Sequence, residues 1–326
     1  MRVLMATLWL VTACGARSAS VPATSGEGVP ARAAGGSPAP LGASLGAAPE
    51  RLLEALQQPW SAFARPLGPH RVRLHARSLR SGPGLPMARV EQHVDLVWGA
   101  GGRLWVRKDT HDQYGLELRW IDDWLYLRQR WNRFIRRRAL DRQEPLRLAD
   151  RAYGLLPDEL ALLGRFLKLG PARAVTVLGR AAWQVSLLRA ERAGELAPGE
   201  QDEQDAQLAR RWRRSLQVEE LTGTAAIDRL TGAPLLARVH ARCSFTLPAG
   251  PSDATGIPRL ASSGGARGQL ELELEQRVID LGEVSGITAP PAEEIVAEVR
   301  GHRLEIERQM VLGERPVDPA WRQLSP

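Results

Sequence analysis

Cysteine, lysine and long hydrophobic runs are scarce in this chain of 326 residues. Its two cysteines, Cys14 and Cys243, are too few for a disulfide-stapled scaffold or a zinc-binding cysteine cluster. Its two lysines, Lys108 and Lys168, leave arginine to supply nearly all of the positive charge. The apolar run of residues 3–11 is too short to cross a bilayer as a helix, so we predict no permanent span there.

Signatures of common catalytic sites are also missing, since the chain has no His-Glu-x-x-His and no phosphate-binding glycine loop. His111 lies beside Asp109 and Asp112 and could be built into a metal or acid–base site, but polar residues are expected on such a hairpin connection. The other histidines are predicted to be solvated: His70, His75, His93, His240 and His302. We therefore expect no enzyme, no cofactor and no metal ion.

Residues 11–14, Val-Thr-Ala-Cys, follow one positive charge at Arg2 and the short apolar run. This pattern resembles the lipobox of bacterial lipoproteins, which implies that residues 1–13 are removed as a signal peptide. Cys14 would then be diacylated on its sulfur, with chains such as palmitate, and would become the new N-terminus, which is usually acylated as well. The alternative is an ordinary signal peptide that has a cysteine near its cleavage site by chance.

Three acyl chains would exceed the roughly two lipid signals that stable anchoring needs, so the mature chain is expected to be tethered to a membrane. Gly15 follows the cysteine instead of an aspartate, which by analogy with enteric sorting rules favours the periplasmic face of the outer membrane. With Cys14 carrying lipid, no intramolecular disulfide is possible. Cys243 is predicted to be a small core residue of an alternating strand.

Residues 15–48 consist almost entirely of Ala, Gly, Ser, Pro and a few Arg, and therefore predict a flexible tether. The rest is long enough for one sizeable domain or two small ones. The predicted organisation is a signal peptide at 1–13, a tether at 14–48, a domain at 49–291 with a charged excursion at 190–214, and a C-terminal helix and tail at 292–326.

Alternation of apolar and polar residues predicts about ten antiparallel strands that form a sheet with one apolar and one charged face. In one strand, Val72, Leu74 and Ala76 alternate with Arg71 and Arg73. Helical spacing instead predicts a short helix at 49–60, a helical insertion within 146–169 and a terminal helix at 293–313. Turns are predicted at 99–102, 122–123, 179–180 and 228–232.

Three local patterns resemble the half-barrel of the lipoprotein carriers and their relatives: LolA, LolB, LppX-like lipoproteins and RseB-type stress sensors. These patterns are Trp-Gln-Val-Ser-Leu at 183–187, the aspartate-bearing turn of 223–236 and the ending Gly-Ile-Thr-Ala-Pro at 286–290. The resemblance implies a mainly β (α+β) fold: a curved antiparallel sheet with an N-terminal helix and a central helical insertion on its concave side. The excursion at 190–214 and the helix after Pro291 depart from this pattern.

A curved sheet closed by helices can enclose an apolar cavity, and ten tryptophans against four phenylalanines supply rigid apolar surface with a polar edge. We therefore predict that the chain binds a lipid, another amphipathic molecule or a lipoprotein acyl chain, without catalysis. The alternative for each of these residues is an ordinary core position. The residues predicted to line the cavity are Trp98, Leu118, Trp120, Leu163, Phe166, Trp183, Val185 and Phe245.

The net charge of +7 and the isoelectric point near 10.3 favour an anionic partner, and an exported protein meets little nucleic acid. Arginines and aromatic residues are interleaved over 124–142. This segment predicts either contact with anionic headgroups or polymer, or a solvated face. It also supports an alternative function, an envelope sensor or scaffold, and an enzyme acting on envelope glycan is a third. The residues predicted to make the anionic contact are Arg133, Arg136, Arg137 and Arg138.

Overall fold

The computed structural model describes residues 48–82, 87–111, 115–129, 132–194, 215–246, 267–282, 284 and 286–296, which belong to one compact unit, Pro40–Pro326. The predicted signal peptide, Cys14 and nearly all of the tether lie outside these residues. So do most of the charged excursion, Asp112 and His302. In the described part of the chain, no helix is long and apolar enough to span a membrane.

The described residues form four α-helices and thirteen strands. The helices are α1 (Pro49–Gln57), α2 (Trp60–Leu67), α3 (Glu144–Tyr153) and α4 (Leu155–Leu163). The strands are β1 (His70–Ser81), β2 (Ala88–Trp98), β3 (Leu104–Thr110), β4 (Gly115–Ile121), β5 (Trp124–Gln129), β6 (Phe134–Arg138), β7 (Leu167–Leu169), β8 (Arg173–Val177), β9 (Arg180–Arg189), β10 (Gln217–Asp228), β11 (Pro234–Thr246), β12 (Arg267–Ile279) and β13 (Ile295–Val296).

All thirteen strands belong to one open, curved sheet, the half-barrel that the sequence predicted. The strand order is β13-β6-β5-β4-β3-β2-β1-β12-β11-β10-β9-β7, with β8 also paired to β9. Strand β1 is therefore central, between β2 and β12. Strands β6 and β7 stand near opposite ends of the sheet, and α3 and α4 connect them, so this connection has to cross the open side of the half-barrel.

The alternation in the sequence separates two faces of the sheet. Val72 pairs with Leu96 on β2 and with Val278 on β12, and all three are buried in the main core together with the helices. We call this face concave. The convex face carries cross-strand ion pairs such as Arg71 with Asp95, whose Nε and Oδ1 are 3.0 Å apart. Because successive side chains of a strand lie on opposite faces of the sheet, every second residue contacts the helices.

Two predicted helices differ from the structure. The helix predicted at 49–60 is two helices, α1 and α2, because Pro59 holds the preceding Gln58 in an extended conformation with ψ of 151°. The terminal helix predicted from residue 293 is absent from the described part of that segment. There a 3₁₀ turn, Ala292–Glu294, leads into β13, which pairs in parallel with β6.

The segment after β12 lies on the convex face as a strap, of which residues 284 and 286–296 are described. Ile287 packs in a second, smaller core with Val97 and Phe134. Arg103 and Arg119 donate hydrogen bonds to the carbonyl oxygens of Ile287 and Thr288, at 3.4 and 3.1 Å. The strap therefore covers the convex face of strands β2 to β6, where sequence patterns had indicated only polar surface.

His70 was predicted to be solvated and is instead fully buried. Its position on β1 has the same parity as Val72, so its side chain lies on the concave face. The Trp60 indole donates to His70 Nε2 at 3.1 Å, and Nδ1 lies 2.7 Å from the Gly68 carbonyl oxygen. Burial lowers the pKa of His70 to about 4, so the neutral ring fastens α2 to β1 at physiological pH.

The predicted turn at 228–232 is confirmed. Asp228 Oδ1 accepts hydrogen bonds from the backbone N–H groups of Leu230 and Thr231, at 3.0 and 2.7 Å, and Gly232 has a φ of 73°. Burial alone would raise the pKa of Asp228, but the hydrogen bond from Arg180 and those from Thr231 lower it below its ordinary value. The turn is therefore anchored to the neighbouring hairpin by a charged pair.

Cys243 is fully buried in the main core, as predicted, and burial raises the pKa of its thiol to about 12. A thiol with so high a pKa is almost never a thiolate at neutral pH, so it behaves as a small apolar side chain.

Candidate functional site

A layer of four short helices covers the concave face. The helices have only eight to ten residues each, a length at which isolated helices are marginal in water. Their stability therefore comes from their packing against the sheet. The side chains that provide this packing are fully or almost fully buried: Leu52, Leu56, Trp60, Phe63, Tyr153, Leu156 and Leu160.

The structure brings the eight predicted cavity residues into one apolar cluster. Six of them are buried in the main core: Trp98, Leu118, Leu163, Phe166, Val185 and Phe245. Trp120 and Trp183 are half-buried and pack against its margin. These residues are thus core residues in this conformation, and their contact with a ligand remains a prediction.

Trp120 differs from other tryptophans in its hydrogen bonding. Its indole nitrogen is buried, yet it has no acceptor among the described residues. By contrast, Trp60 donates to His70, and Trp105 on the convex face donates to Glu117 Oε1 at 2.9 Å. Leaving a buried donor unsatisfied costs about 1–3 kcal/mol, so Trp120 offers a place where an incoming acceptor would be stabilised.

Arg80 is a second residue with an unpartnered donor. Its Nε is buried without an acceptor in the described part of the chain. Arg80 occupies a position of β1 with the same parity as Val72 and Leu74, so it extends the concave face toward the end of the strand. Arg80 was not predicted from the sequence as a site residue, although its alternation with Leu79 and Ser81 on β1 would have placed it on the concave face.

Lys108 is another polar residue on the concave side that sequence analysis did not select. It follows Leu104 and Val106 on the same face of β3. Burial lowers the pKa of its amine, while the nearby carboxylate of Asp158 in α4 opposes this shift. The concave side thus carries the Lys108 amine next to the helical layer.

Half-buried apolar residues continue the concave surface toward β7, β8 and β9. Leu167, Leu169, Val175 and Trp183 pack on the main core but keep part of their surface exposed. A separate cavity of about 160 Å³ lies beside β8 and β9, lined by Pro171, Arg173, Gln184, Val185 and Ser186. Gln184 and Ser186 alternate with Trp183 and Val185 along β9. Typical ligand pockets begin at about 300 Å³, so this cavity by itself is too small for an acyl chain.

The arginine-rich segment divides between two faces of β6. Arg133, Arg136 and Arg138 are exposed, which both the anionic contact and the solvated face predicted for this segment require. The guanidinium groups of Arg136 and Arg138 lie 4.7 and 4.4 Å from the centre of the Trp124 ring. These cation–π contacts hold two positive charges and an aromatic ring together on the convex side.

The predicted anionic contact is wrong for Arg137, because its side chain is only 2% exposed. It lies on the opposite face of β6, where its two terminal nitrogens donate to the carboxylate of Glu144 at 2.8 and 2.5 Å. Burial would raise the pKa of Glu144, but Arg137 and the backbone N–H of Leu140 lower it overall. Arg137 therefore joins the sheet to α3 and cannot contact an external surface.

His111, a candidate for a metal or acid–base site, lies in an exposed turn after β3. Its backbone N–H donates to the Glu91 carbonyl oxygen at 3.0 Å. Asp112 lies outside the described residues, so the predicted grouping of His111 with two aspartates is not described as a whole.

Comparisons with known proteins bear on the fold. No protein-family model and no curated protein matches the sequence. A LolA superfamily protein from Nitrosomonas europaea is similar in structure at 11% identity over 72% of this chain and 94% of its own, with a TM-score of 0.19. LprF from Mycobacterium bovis is similar at 12% identity over 75% and 97% of the two chains, with a TM-score of 0.27.

A third similar structure is the MucA/MucB complex of Pseudomonas aeruginosa, at 11% identity over 71% of this chain and 92% of that chain, with a TM-score of 0.19. All three likenesses have TM-scores below 0.5 and identities of 12% or less. At these identities the likeness is one of fold alone.

Proposed function

We propose that this protein is an envelope lipoprotein, anchored through Cys14 on the periplasmic face of the outer membrane. Its half-barrel binds a lipid, another amphipathic molecule or the acyl chain of a lipoprotein, and carries out no chemistry. The anchor rests on the lipobox-like residues 11–14, and the binding role rests on the concave face.

The unpartnered indole N–H of Trp120 is the observation that carries the binding role. An amphipathic ligand combines an apolar chain with a polar group that accepts hydrogen bonds. The concave face offers an apolar surface for the chain and a hydrogen-bond donor for the polar group. Trp120 packs against the apolar cluster, and its buried N–H has no acceptor among the described residues. Arg80 Nε and the Lys108 amine add positive charge further along the same face, since Trp120 lies in the row of Leu104, Trp98 and His70.

Ligand uptake requires the helical layer to move, because the helices pack tightly on the concave face. Short helices held by tertiary contacts are suited to such a displacement. The half-buried residues of β7 to β9, Trp183 among them, mark the side on which apolar surface is already partly open. The ligand would then replace contacts that the helices make in the closed form.

Trp120→Phe tests this contact because it removes the indole N–H and keeps an aromatic ring. We expect the full-length Cys14→Ala protein, purified without detergent, to bind a fluorescent fatty acid saturably. Adding Trp120→Phe should weaken binding about fivefold, which corresponds to the roughly 1 kcal/mol of one hydrogen bond. The measurement is a fluorescence titration at constant protein concentration.

Trp105→Phe is the matched control for this titration. Trp105 lies on the convex face and its N–H is already satisfied by Glu117, so its replacement should leave fatty-acid affinity unchanged. Equal affinities of the Trp120→Phe protein and its parent would contradict the proposed contact. A folded parent that binds no fatty acid would contradict the binding function itself.

The exposed arginines favour a second candidate function, a sensor or scaffold that contacts an anionic polymer or membrane surface. Arg136 and Arg138 flank Trp124, so the convex side near β6 presents two cations around an aromatic ring. Such a group can bind phosphate or carboxylate groups at a headgroup boundary. Arg137 takes no part, because it is buried against Glu144.

A triple replacement, Arg133→Gln with Arg136→Gln and Arg138→Gln, tests this surface. Vesicles of anionic lipid should bind the variant at least about tenfold more weakly at low salt, and the difference should shrink as salt shortens the Debye length toward about 8 Å. Neutral vesicles and the midpoint of thermal unfolding should be unaffected. Identical binding by the variant and its parent across a salt series would assign these arginines to a solvated face.

A further inference from the structure

We propose that His75, Glu91 and His93 form a binding site for one divalent transition-metal ion on the convex face of the sheet. From the sequence, these histidines were predicted only to be solvated. The site lies on the face opposite the helical layer, so it does not depend on the function proposed for the concave side.

The register of two strands brings the three side chains together. His75 on β1 is the direct cross-strand partner of His93 on β2. Glu91 lies two residues before His93, on the same face of β2. The imidazole rings are stacked, with centroids 4.4 Å apart and planes inclined by 8°. Glu91 Oε1 lies 3.0 Å from His75 Nε2 and 3.4 Å from His93 Nε2. Both rings thus direct the same kind of nitrogen at one carboxylate oxygen.

These separations fit the first coordination sphere of zinc. Tetrahedral Zn²⁺ has bonds of about 2.0–2.1 Å to histidine nitrogen and carboxylate oxygen, which places neighbouring donor atoms about 3.3 Å apart. The two measured nitrogen–oxygen distances lie on either side of that value, and one donor atom from each residue lies within 4.8 Å of the other two. Since the side chains of His75 and His93 are 45% and 58% exposed, water can supply a fourth ligand.

Arg89 orients the carboxylate for this role. Its Nη2 lies 2.9 Å from Glu91 Oε2, the oxygen that faces away from the histidines. Such a contact outside the ligand set fixes a metal-binding carboxylate and leaves its other oxygen available. The hydrogen bond from His75, followed by that from Arg89, lowers the pKa of Glu91, so the carboxylate is an anion at neutral pH.

The neighbouring cations are largely neutralised by carboxylates of their own. Arg77, opposite Glu91, pairs with Glu273 at 3.5 Å. Arg107 pairs with Asp109 at 2.7 Å, and Asp109 is the cross-strand neighbour of His93. A dication at the site is therefore surrounded by paired charges instead of isolated positive ones.

A second group on the same face provides a matched control. His240 lies near Glu271 and Glu273, but it contributes the only imidazole, and its Nδ1 is 4.0 Å from the Glu273 carboxylate. Zinc prefers sites with more than one nitrogen ligand over a single histidine among exposed carboxylates. We therefore place the ion at the paired histidines.

Calorimetric titration of Zn²⁺ into the full-length Cys14→Ala protein tests the proposal without the Cys14 thiol. One saturable site is expected. His75→Ala, His93→Ala and Glu91→Gln should each weaken it by at least about tenfold, whereas His240→Ala should leave it unchanged.

A separate measurement distinguishes loss of the site from loss of the fold. Circular dichroism in the absence of metal should be the same for the parent and all four variants, since the side chains are at the surface. Absence of saturable Zn²⁺ binding by the parent would overturn the proposal. Binding that persists when His75 and His93 are both replaced, or that is lost in His240→Ala, would overturn it equally.

Discussion

Replacing Cys14 with alanine is expected to move the protein almost completely from the membrane to the soluble periplasmic fraction. The lipobox-like residues 11–14 place this cysteine at the position that lipoproteins acylate. Loss of all acyl chains removes the only anchor that the sequence predicts. Fractionation followed by intact-mass measurement checks the result, since the parent should carry the additional mass of its lipids.

Cys243→Ala is the control for this experiment. Cys243 is fully buried in the core and its thiol has a pKa of about 12, so it should not be acylated. This variant should stay in the membrane with the mass of the lipids intact. A Cys14→Ala protein that remains in the membrane with an unchanged modification mass would disprove the lipid anchor.

Arg137→Gln is expected to lower the free energy of unfolding by about 3–5 kcal/mol, because it leaves the carboxylate of Glu144 without its buried partner. The Arg137 side chain is 2% exposed and that of Glu144 is 10% exposed, so solvent screens this pair only weakly. Urea unfolding monitored by tryptophan fluorescence measures the change. The loss should appear as a lower midpoint with an unchanged slope.

Arg138→Gln on the same strand is the matched comparison. Its side chain is 63% exposed and lies 3.9 Å from Asp123, which is itself exposed, so its removal should change the free energy of unfolding only slightly. Similar stability losses for the two variants would show that the position of Arg137 between sheet and helix has no special role.

Much of the sheet could be predicted from the sequence, because alternation reports which side chains share a face. The same alternation separates Arg137 from Arg136 and Arg138, but a dense run of arginines suggested a single charged surface. Arg137 is buried because Glu144, at the start of α3, comes from outside the strand. A partner supplied by a distant part of the chain is not visible in a local pattern.

The candidate site could be predicted only as a set of apolar positions. Parity on the strands identified Trp98, Leu118 and Trp120 as residues of one face, and they do share a core. Whether Trp120 finds an acceptor depends on how four helices pack, which local spacing does not determine. The convergence of His75 and His93 likewise depends on the register of β1 and β2, since a one-residue slip would place them on opposite faces.

We expect a ligand to enter between the helical layer and the concave face, and the indole N–H resonances in NMR spectra report this contact. In a fatty-acid titration of the Cys14→Ala protein, the Trp120 signal, assigned by its absence from Trp120→Phe, should shift saturably. The signal of Trp105, hydrogen-bonded to Glu117 on the convex face, should stay in place. A Trp120 signal that remains unchanged at saturating fatty acid would contradict the account.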